Sequence, residues 1–231
     1  MSLNSIAFIP DGNRRYARKV GVNYAKSYQL GTRKAWEVID WLKEYPQIKA
    51  GTFYTLSLEN LARGKLELRV LLKLFEMELD RVKKSRVFEE QGIRLKFLGR
   101  LESLPKKIRQ KIGEAEELTA DFEKKQVNLA LGYNGQAEIV DAAKKFAEQY
   151  KQGEASLEDL NETSFSNYLY SSAQPDLIVR TSGTQRLSGF LTYQSAYSEL
   201  YFSEKFWPEF QEQDLGAAVQ EFDARERRFG K

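Results

Sequence analysis

Short apolar runs alternate along the chain with longer stretches in which apolar residues recur every three or four positions. The short runs, rich in β-branched and aromatic residues, predict strands at 5–9, 51–57, 93–98, 126–131, 176–179 and 200–202. The longer stretches predict helices at 27–44, 65–88, 103–120, 136–151 and 212–228. Alternation of this kind is typical of a parallel sheet covered by helices. We therefore expect a single α/β domain over residues 1–231, with a mainly parallel six-stranded sheet flanked by helices.

Composition narrows the chemistry. Lys plus Arg is 36 and Asp plus Glu is 33, so a net charge of +3 gives no reason to expect nucleic acid as a partner. The chain contains neither Cys nor His. This excludes disulfides, thiol nucleophiles, Ser-His-Asp catalysis and imidazole zinc sites. Any metal would be a hard cation held by oxygen ligands, such as Mg²⁺.

The first residues do not combine a basic start with a long apolar run, so we expect no signal peptide. No apolar run is long enough to span a bilayer. We therefore expect a cytoplasmic protein, and contact with a membrane surface is left open.

A turn, Pro10-Asp11-Gly12-Asn13, follows the first predicted strand, and Arg14 and Arg15 come next. A helix that begins near Asn13 would offer free backbone N–H groups to a phosphate. A carboxylate fits beside a phosphate when Mg²⁺ lies between them, because Mg²⁺ is usually bound by one or two carboxylates and substrate phosphates. The alternative is a surface turn with two solvated arginines.

A second polar loop follows the fifth predicted strand and runs from Arg180 to Ser188. Its arginines and hydroxyls can converge on phosphate oxygens, although a plain polar loop would look the same. Glu199 is the only charge in the aromatic stretch 189–202, so it needs a cation if that stretch is buried. The partner is either an arginine or a metal ion shared with Asp11.

Together these motifs resemble the cis-prenyltransferases, the family of the undecaprenyl and dehydrodolichyl diphosphate synthases. The resemblance covers residues 6–230, and the first motif has the form of archaeal and eukaryotic members. The matching segments are Asp11 to Ala17, Ser57 to Asn60 with Arg63, Asp176 to Gly183 with Arg186, Leu187 and Ser188, Glu199 to Phe202, and Phe206-Trp207-Pro208. The aspartate-rich signature of trans-prenyltransferases is absent.

The resemblance implies a Mg²⁺-dependent enzyme that joins an allylic prenyl diphosphate to isopentenyl diphosphate, or to another prenyl acceptor, and releases diphosphate. It implies that Asp11 and Glu199 bind the metal, and that Asp11 and Asn60 act in catalysis. The substrate-binding residues that it implies are Gly12, Asn13, Arg14, Arg15, Tyr16, Tyr24, Tyr28, Ser57, Glu59, Leu61, Arg63, Arg180, Arg186, Leu187 and Ser188.

The resemblance also implies a hydrophobic tunnel and a homodimer. The helix from about Leu66 to Phe88 resembles the tunnel wall through Leu71, Leu72, Leu74, Phe75 and Leu79, although the same stripe would suit a plain core. The terminal Arg228-Phe229-Gly230 resembles a tail that reaches a neighbouring subunit's site, and the alternative is a basic chain end.

Several positions depart from the bacterial pattern. Tyr24 and Tyr28 stand in place of an Arg and a His, and the other departures are Leu61, Thr184, Gly189 and Gln136. Because the first two remove positive charge beside one phosphate, we hypothesise a short or irregularly joined prenyl product. Two rival functions are a non-catalytic subunit of a heteromeric prenyltransferase, which retention of the motifs disfavours, and a nucleic-acid-binding module, which the balanced charge disfavours.

Overall fold

A computed structural model describes residues 2–61 and 64–225. Its strands are β1 (Ser5–Ile9), β2 (Ala50–Ser57), β3 (Ile93–Leu98), β4 (Lys125–Tyr133), β5 (Leu177–Arg180) and β6 (Glu199–Phe202). Its α-helices are α1 (Asn13–Val20), α2 (Tyr24–Trp41), α3 (Leu58–Leu61), α4 (Lys65–Val82), α5 (Val87–Gln91), α6 (Lys106–Leu118), α7 (Gly135–Gln152), α8 (Glu162–Ser166) and α9 (Glu212–Ala224). The predictions for Arg63 and for residues 228–230 lie outside the described residues.

The six strands form one sheet in the order β3-β4-β2-β1-β5-β6, and every neighbouring pair is parallel. The expected parallel sheet with flanking helices is therefore confirmed. After β1 the chain moves to β2 on one side, and β5 later joins β1 on the other. Ligands of open parallel sheets bind at such a reversal, beyond the carboxyl ends of the strands. The register pairs Ile9 with Arg180, which brings the two predicted phosphate loops to the same edge.

The main core lies between one face of the sheet and helices α2, α4, α6 and α9. Phe8 and Phe53 are fully buried on neighbouring strands, with their rings stacked 4.9 Å apart. Trp207 packs beside Phe8, and its indole N–H donates to the Gly31 carbonyl of α2 at 2.7 Å. Burial of large side chains at this point fixes α2 over the carboxyl end of β1, next to the turn that carries Asp11.

Several predicted helix boundaries differ from the structure, most of them by one to three residues, and two differences change the division into helices. A separate helix, α1, precedes α2, because Gly21 ends it at a φ of 71° and the Asn23 side chain accepts the Lys26 N–H at 2.8 Å to begin α2. The helix predicted over 65–88 ends at Val82, and α5 follows it. None of the helices in residues 2–61 and 64–225 has the length and apolar character that a bilayer crossing needs.

Candidate active site

A cavity of about 1060 Å³ opens at the carboxyl ends of β1, β2, β4 and β5. Its charged lining residues from β5, α1 and the turn before α1 are Asp11, Arg14, Arg15, Arg18 and Arg180. Its apolar lining residues come mainly from α2, α4 and the ends of β2 and β4, and they include Ala35, Leu56, Leu71, Leu74, Phe75 and Leu131. A cavity with both cationic and apolar lining residues suits a ligand that has an anionic head and a hydrocarbon chain.

Asp11 lies among these charged residues and is held by two arginines. Its Oδ2 accepts from Arg180 Nη2 at 2.8 Å and lies 3.3 Å from Arg15 Nη2, while Oδ1 accepts the Gly12 N–H at 2.6 Å. Burial alone would raise the pKa of Asp11, but the hydrogen bond and charge of Arg180, with the other two contacts, lower it below its ordinary value. Asp11 is therefore a carboxylate at neutral pH.

Arg180 is only 4% exposed, although its side chain lines the cavity. It donates to Ser188 Oγ at 2.9 Å and to the Arg186 carbonyl. Its Nε has no hydrogen-bond partner within the described residues. These contacts and the pair with Asp11 hold the buried Arg180 guanidinium in one orientation at the cavity wall.

The loop around Arg180 holds non-glycine residues in left-handed conformations. Ser182 has a φ of 81° and Ser188 a φ of 51°. Ser182 Oγ and its carbonyl accept from the Arg15 guanidinium, the latter at 3.1 Å. This costly backbone therefore serves to orient two arginines, as is typical of functional loops.

The segment after β2 forms the opposite wall. The Ser57 hydroxyl accepts the Asn60 N–H at 3.1 Å, and Glu59 Oε1 accepts from Asn134 Nδ2 at 2.7 Å. Burial acts to raise the pKa of Glu59, but hydrogen bonds from Ser57, from its own backbone and from Asn134 lower it overall. This wall therefore presents an ionised carboxylate and amide groups to the cavity.

Most of the residues predicted from the sequence line this one cavity. They are Asp11, Gly12, Asn13, Arg14, Arg15, Tyr28, Ser57, Glu59, Asn60, Arg180, Leu187 and Ser188. Tyr16, Tyr24, Leu61 and Arg186 are not part of its wall. Tyr24 lies behind the arginines, where hydrogen bonds from Arg18 and Arg14 lower the pKa of its hydroxyl. Leu61 packs against the main core.

Glu199 is not near Asp11. It is the first residue of β6 and pairs in register with Leu177, at the amino edge of the sheet, whereas Asp11 follows the carboxyl end of β1. Its carboxylate forms an ion pair with Arg225 at 2.7 Å. The prediction that both carboxylates share one metal ion is therefore wrong for a single chain, and the arginine partner is found instead. In the part of the chain that the structure describes, no group of three or more acidic residues could hold a metal.

The apolar residues of α4 that were predicted to form a tunnel wall lie partly at the cavity and partly in the core. Leu71, Leu74 and Phe75 of α4 line the cavity, whereas Leu79 is buried in the core and Leu72 packs against it. The stripe therefore contributes side chains both to the cavity wall and to the core.

Sequence reasoning missed Tyr54, which lines the cavity from β2. Its ring stacks on Phe190 at 4.7 Å, and its hydroxyl lies within reach of the Tyr133 and Ser188 carbonyls at 3.3 and 3.4 Å. Burial raises the pKa of Tyr54, so the hydroxyl stays protonated and lies between the end of β4 and the loop that follows β5. The position of this tyrosine near the carboxyl end of a predicted strand could have indicated that it lies at the site.

The family model and the similar proteins all point to one family of enzymes. Residues 9–230 match the prenyltransferase family described as "Putative undecaprenyl diphosphate synthase". The chain is 41% identical over 230 residues to a protein of Pyrobaculum aerophilum named tritrans,polycis-undecaprenyl-diphosphate synthase (geranylgeranyl-diphosphate specific), with 98% of this chain and 95% of that protein covered. It is 42% identical to the protein of the same name from Thermoplasma acidophilum, with 98% and 88% covered.

A solved structure is similar across the whole fold. It is the crystal structure of lavandulyl diphosphate synthase from Lavandula x intermedia in complex with dimethylallyl diphosphate. The TM-score is 0.94 at 33% sequence identity, and the comparison covers 99% of this chain and 98% of the other.

Proposed function

This chain belongs to the undecaprenyl diphosphate synthase family of cis-prenyltransferases, and we propose that it performs prenyl transfer in the cavity described above. It joins an allylic prenyl diphosphate to isopentenyl diphosphate and releases diphosphate. One observation carries the assignment to this cavity: arginines and an ionised Asp11 line it from α1 and the ends of β1 and β5, and apolar side chains of α2 and α4 line it as well. These two kinds of lining match the two parts of a prenyl diphosphate.

In this proposal the allylic diphosphate binds against Arg14 and Arg15, with Asp11 between them and Arg180. Asp11 fits a site for Mg²⁺, because it is ionised and because Mg²⁺ usually combines one or two carboxylates with substrate phosphates. When bound, Mg²⁺ would stabilise the negative charge that develops on the leaving diphosphate. The arginines, already oriented by Ser182 and Asp11, stabilise the same charge at no cost of reorganisation.

The acceptor diphosphate binds on the other side of Asp11, at Arg180 and Ser188. Arg180 and Ser188 support this because both line the cavity and because Arg180 donates to Ser188 Oγ at 2.9 Å. Asn60 and Ser57 hold the reacting carbons on the facing wall. As the allylic C–O bond breaks, the acceptor double bond forms the new C–C bond. The proton lost from the acceptor then passes to the released diphosphate, a base that forms beside the reacting carbons.

We propose geranylgeranyl diphosphate as the donor. The similarity to proteins named for that donor supports it, at 41% and 42% identity over nearly the whole chain. The apolar part of the cavity, between α2 and α4, also supports a long chain, because each buried CH₂ contributes about 0.8 kcal/mol.

A second candidate is a short or irregularly joined product made from dimethylallyl diphosphate. The solved structure with TM-score 0.94 holds that diphosphate, which favours this candidate. Tyr24 and Tyr28 favour it too, because they leave the donor site less positive than the bacterial pattern. The two candidates differ in the donor that the chain accepts and in the mass of the product.

Replacement of Asp11 tests the assignment of the site. Asp11→Asn keeps the shape and removes the charge, so we expect Mg²⁺-dependent diphosphate release to fall by a factor of about 10² to 10³. Asp223→Asn, on the exposed face of α9, removes the same charge far from the cavity and should leave the rate unchanged. Both variants should unfold within a few degrees of the parent. Near-normal turnover by a folded Asp11→Asn variant would overturn the role of Asp11.

We further propose that the protein acts as a homodimer and that its apolar product brings it into contact with membrane surfaces. β6 is an edge strand with partly exposed side chains, and Tyr197 just before it is 67% exposed, which supports an interface there. Light scattering on the purified protein should give twice the mass of the chain, and a monomer at micromolar concentration would contradict the dimer.

Co-flotation with liposomes should test the membrane contact, and the absence of binding to any vesicle would contradict it.

A further inference from the structure

Glu67 is an acidic residue directly behind the donor end of the cavity. It lies in the first turn of α4, and its side chain is 19% exposed. Its Oε1 accepts from the Tyr28 hydroxyl at 2.5 Å and lies 4.0 Å from Arg14 Nε. Tyr28 and Arg14 line the cavity, whereas Glu67 does not. One carboxylate therefore connects α4 with both α1 and α2 without facing the substrate.

The contact with Arg14 is electrostatic rather than a close hydrogen bond. Arg14 also lies over the Tyr24 ring, with its guanidinium carbon 5.2 Å from the ring centroid. The hydrogen bond with Tyr24 and the charge of Glu67 raise the pKa of Arg14. The guanidinium assigned to the donor diphosphate thus already has a negative neighbour within the protein.

We infer that Glu67 is an internal counter-ion of the donor site, which compensates Arg14 when the site is empty and lowers its affinity for diphosphate. The inference rests on the proposed function, because that function assigns Arg14 to the donor. A carboxylate about 4 Å from the guanidinium has the same sign as a diphosphate bound there, so the two anions repel and compete for one cation. Tyr28 holds the carboxylate in place by donating its hydroxyl hydrogen.

A site with this counter-ion releases diphosphate more readily after each transfer. Diphosphate forms in the same position where the next donor head must bind, so tight binding of the by-product would slow repeated addition. Glu67 acts through Arg14 and Tyr28 and is therefore a positioning residue, not a catalytic one.

Binding of inorganic pyrophosphate with Mg²⁺, measured by calorimetry, tests the inference. Glu67→Gln keeps an oxygen that can accept from Tyr28 and removes the charge, so the Kd for pyrophosphate should fall about threefold to tenfold at low salt. The difference should shrink at about 0.5 M salt, where the Debye length is only a few ångströms. The KM for the allylic donor should fall in parallel, whereas kcat should not rise.

Two matched variants separate charge from structure. Tyr28→Phe keeps the charge of Glu67 and removes its hydrogen-bond donor, so it should not tighten pyrophosphate binding. Glu76→Gln makes the same charge change on α4, but Glu76 pairs with Lys107 at 2.6 Å on the side of α6, so it should bind pyrophosphate as the parent does.

The possible results separate failure of the counter-ion role of Glu67 from failure of the proposed prenyl transfer. If the parent turns over prenyl donors and binds pyrophosphate, but Glu67→Gln binds pyrophosphate no more tightly, the counter-ion role is overturned and the proposed function stands. Equal tightening by Glu76→Gln would overturn the role as well, because the effect would then be one of net charge. If the parent neither binds pyrophosphate nor turns over any allylic donor, both the proposed function and the counter-ion role are contradicted.

Discussion

At the scale of single residues, the donor site depends on one position that has no side chain. A Cβ on Gly31 of α2 would lie 2.2 Å from Asn13 Oδ1 and 3.2 Å from Trp207 Cδ1. The Gly31 carbonyl also accepts the Trp207 indole N–H. Asn13 follows Asp11 by two residues, so this close approach of α2 sets the position of the turn that carries Asp11.

Gly31→Ala should therefore impair the donor site and destabilise the fold. We expect a loss of about 1–3 kcal/mol in the free energy of unfolding, because the neighbours must shift to admit the methyl group, and a raised KM for the donor. Gly113→Ala on α6 is the matched control, since a Cβ there meets nothing within 4 Å. That variant should gain about 0.5–1 kcal/mol, as alanine does over glycine within a helix. A Gly31→Ala variant as stable and active as the control would contradict this account.

The sequence predicted which residues lie close together where a motif follows the carboxyl end of a strand. Asp11 follows β1 and Arg180 ends β5, and parallel pairing brings both to one edge. The expected pairing of Glu199 with Asp11 failed for the same physical reason, because Glu199 begins its strand and parallel pairing then places it at the opposite edge. Tyr24 could not be placed either, since which face of a helix meets the cavity depends on how the helices pack.

At the scale of elements, α4 divides its apolar residues between the cavity and the core. Leu74 lines the cavity, and Leu79, five residues further on, is 2% exposed within the core. Periodicity predicted the helix, but not the residue at which it ends or which of its leucines face the substrate. Those depend on contacts with α2 and α6 that have no local signal in the sequence.

A change at Leu74 should therefore affect the length of the product, whereas a change at Leu79 should affect the stability of the fold. Leu74→Trp adds an indole to the apolar lining of the cavity and should shorten the product at little cost in stability. Leu79→Ala should cost about 2–5 kcal/mol in the free energy of unfolding and leave the product length unchanged. Mass spectrometry of the products and urea unfolding measure the two effects. An unchanged product from Leu74→Trp would show that Leu74 does not limit the chain.

At the scale of the whole molecule, one buried carboxyl joins segments that are distant in sequence. Glu138 of α7 is 1% exposed and accepts from the Tyr133 hydroxyl, from the Tyr170 N–H at 2.8 Å and from Gln194 Nε2 at 3.0 Å. Tyr133 packs edge-on against Tyr54 of the cavity wall, with ring centroids 5.9 Å apart. Glu138 thus supports the wall from behind.

This carboxyl gives stability a defined dependence on pH. Burial raises the pKa of Glu138 above its ordinary value of 4.5, although its hydrogen bonds act to lower it. The folded state therefore retains this proton to higher pH than the unfolded chain, and the stability it contributes below pH 4.5 is lost as the pH rises through the raised pKa. The stability of the parent relative to Glu138→Gln should fall by up to about 1.4 kcal/mol per pH unit in that window. Urea unfolding at a series of pH values measures it, and a constant difference would contradict the raised pKa.

The most direct test of prenyl transfer is mass analysis of the products that the purified chain makes from isopentenyl diphosphate, Mg²⁺ and a panel of allylic diphosphates. We expect the chain to release diphosphate and to form products that exceed the geranylgeranyl donor by whole isoprene units. No product should form when isopentenyl diphosphate or Mg²⁺ is left out. A purified, folded chain that releases no diphosphate from any donor, whatever its length, would contradict prenyl transfer.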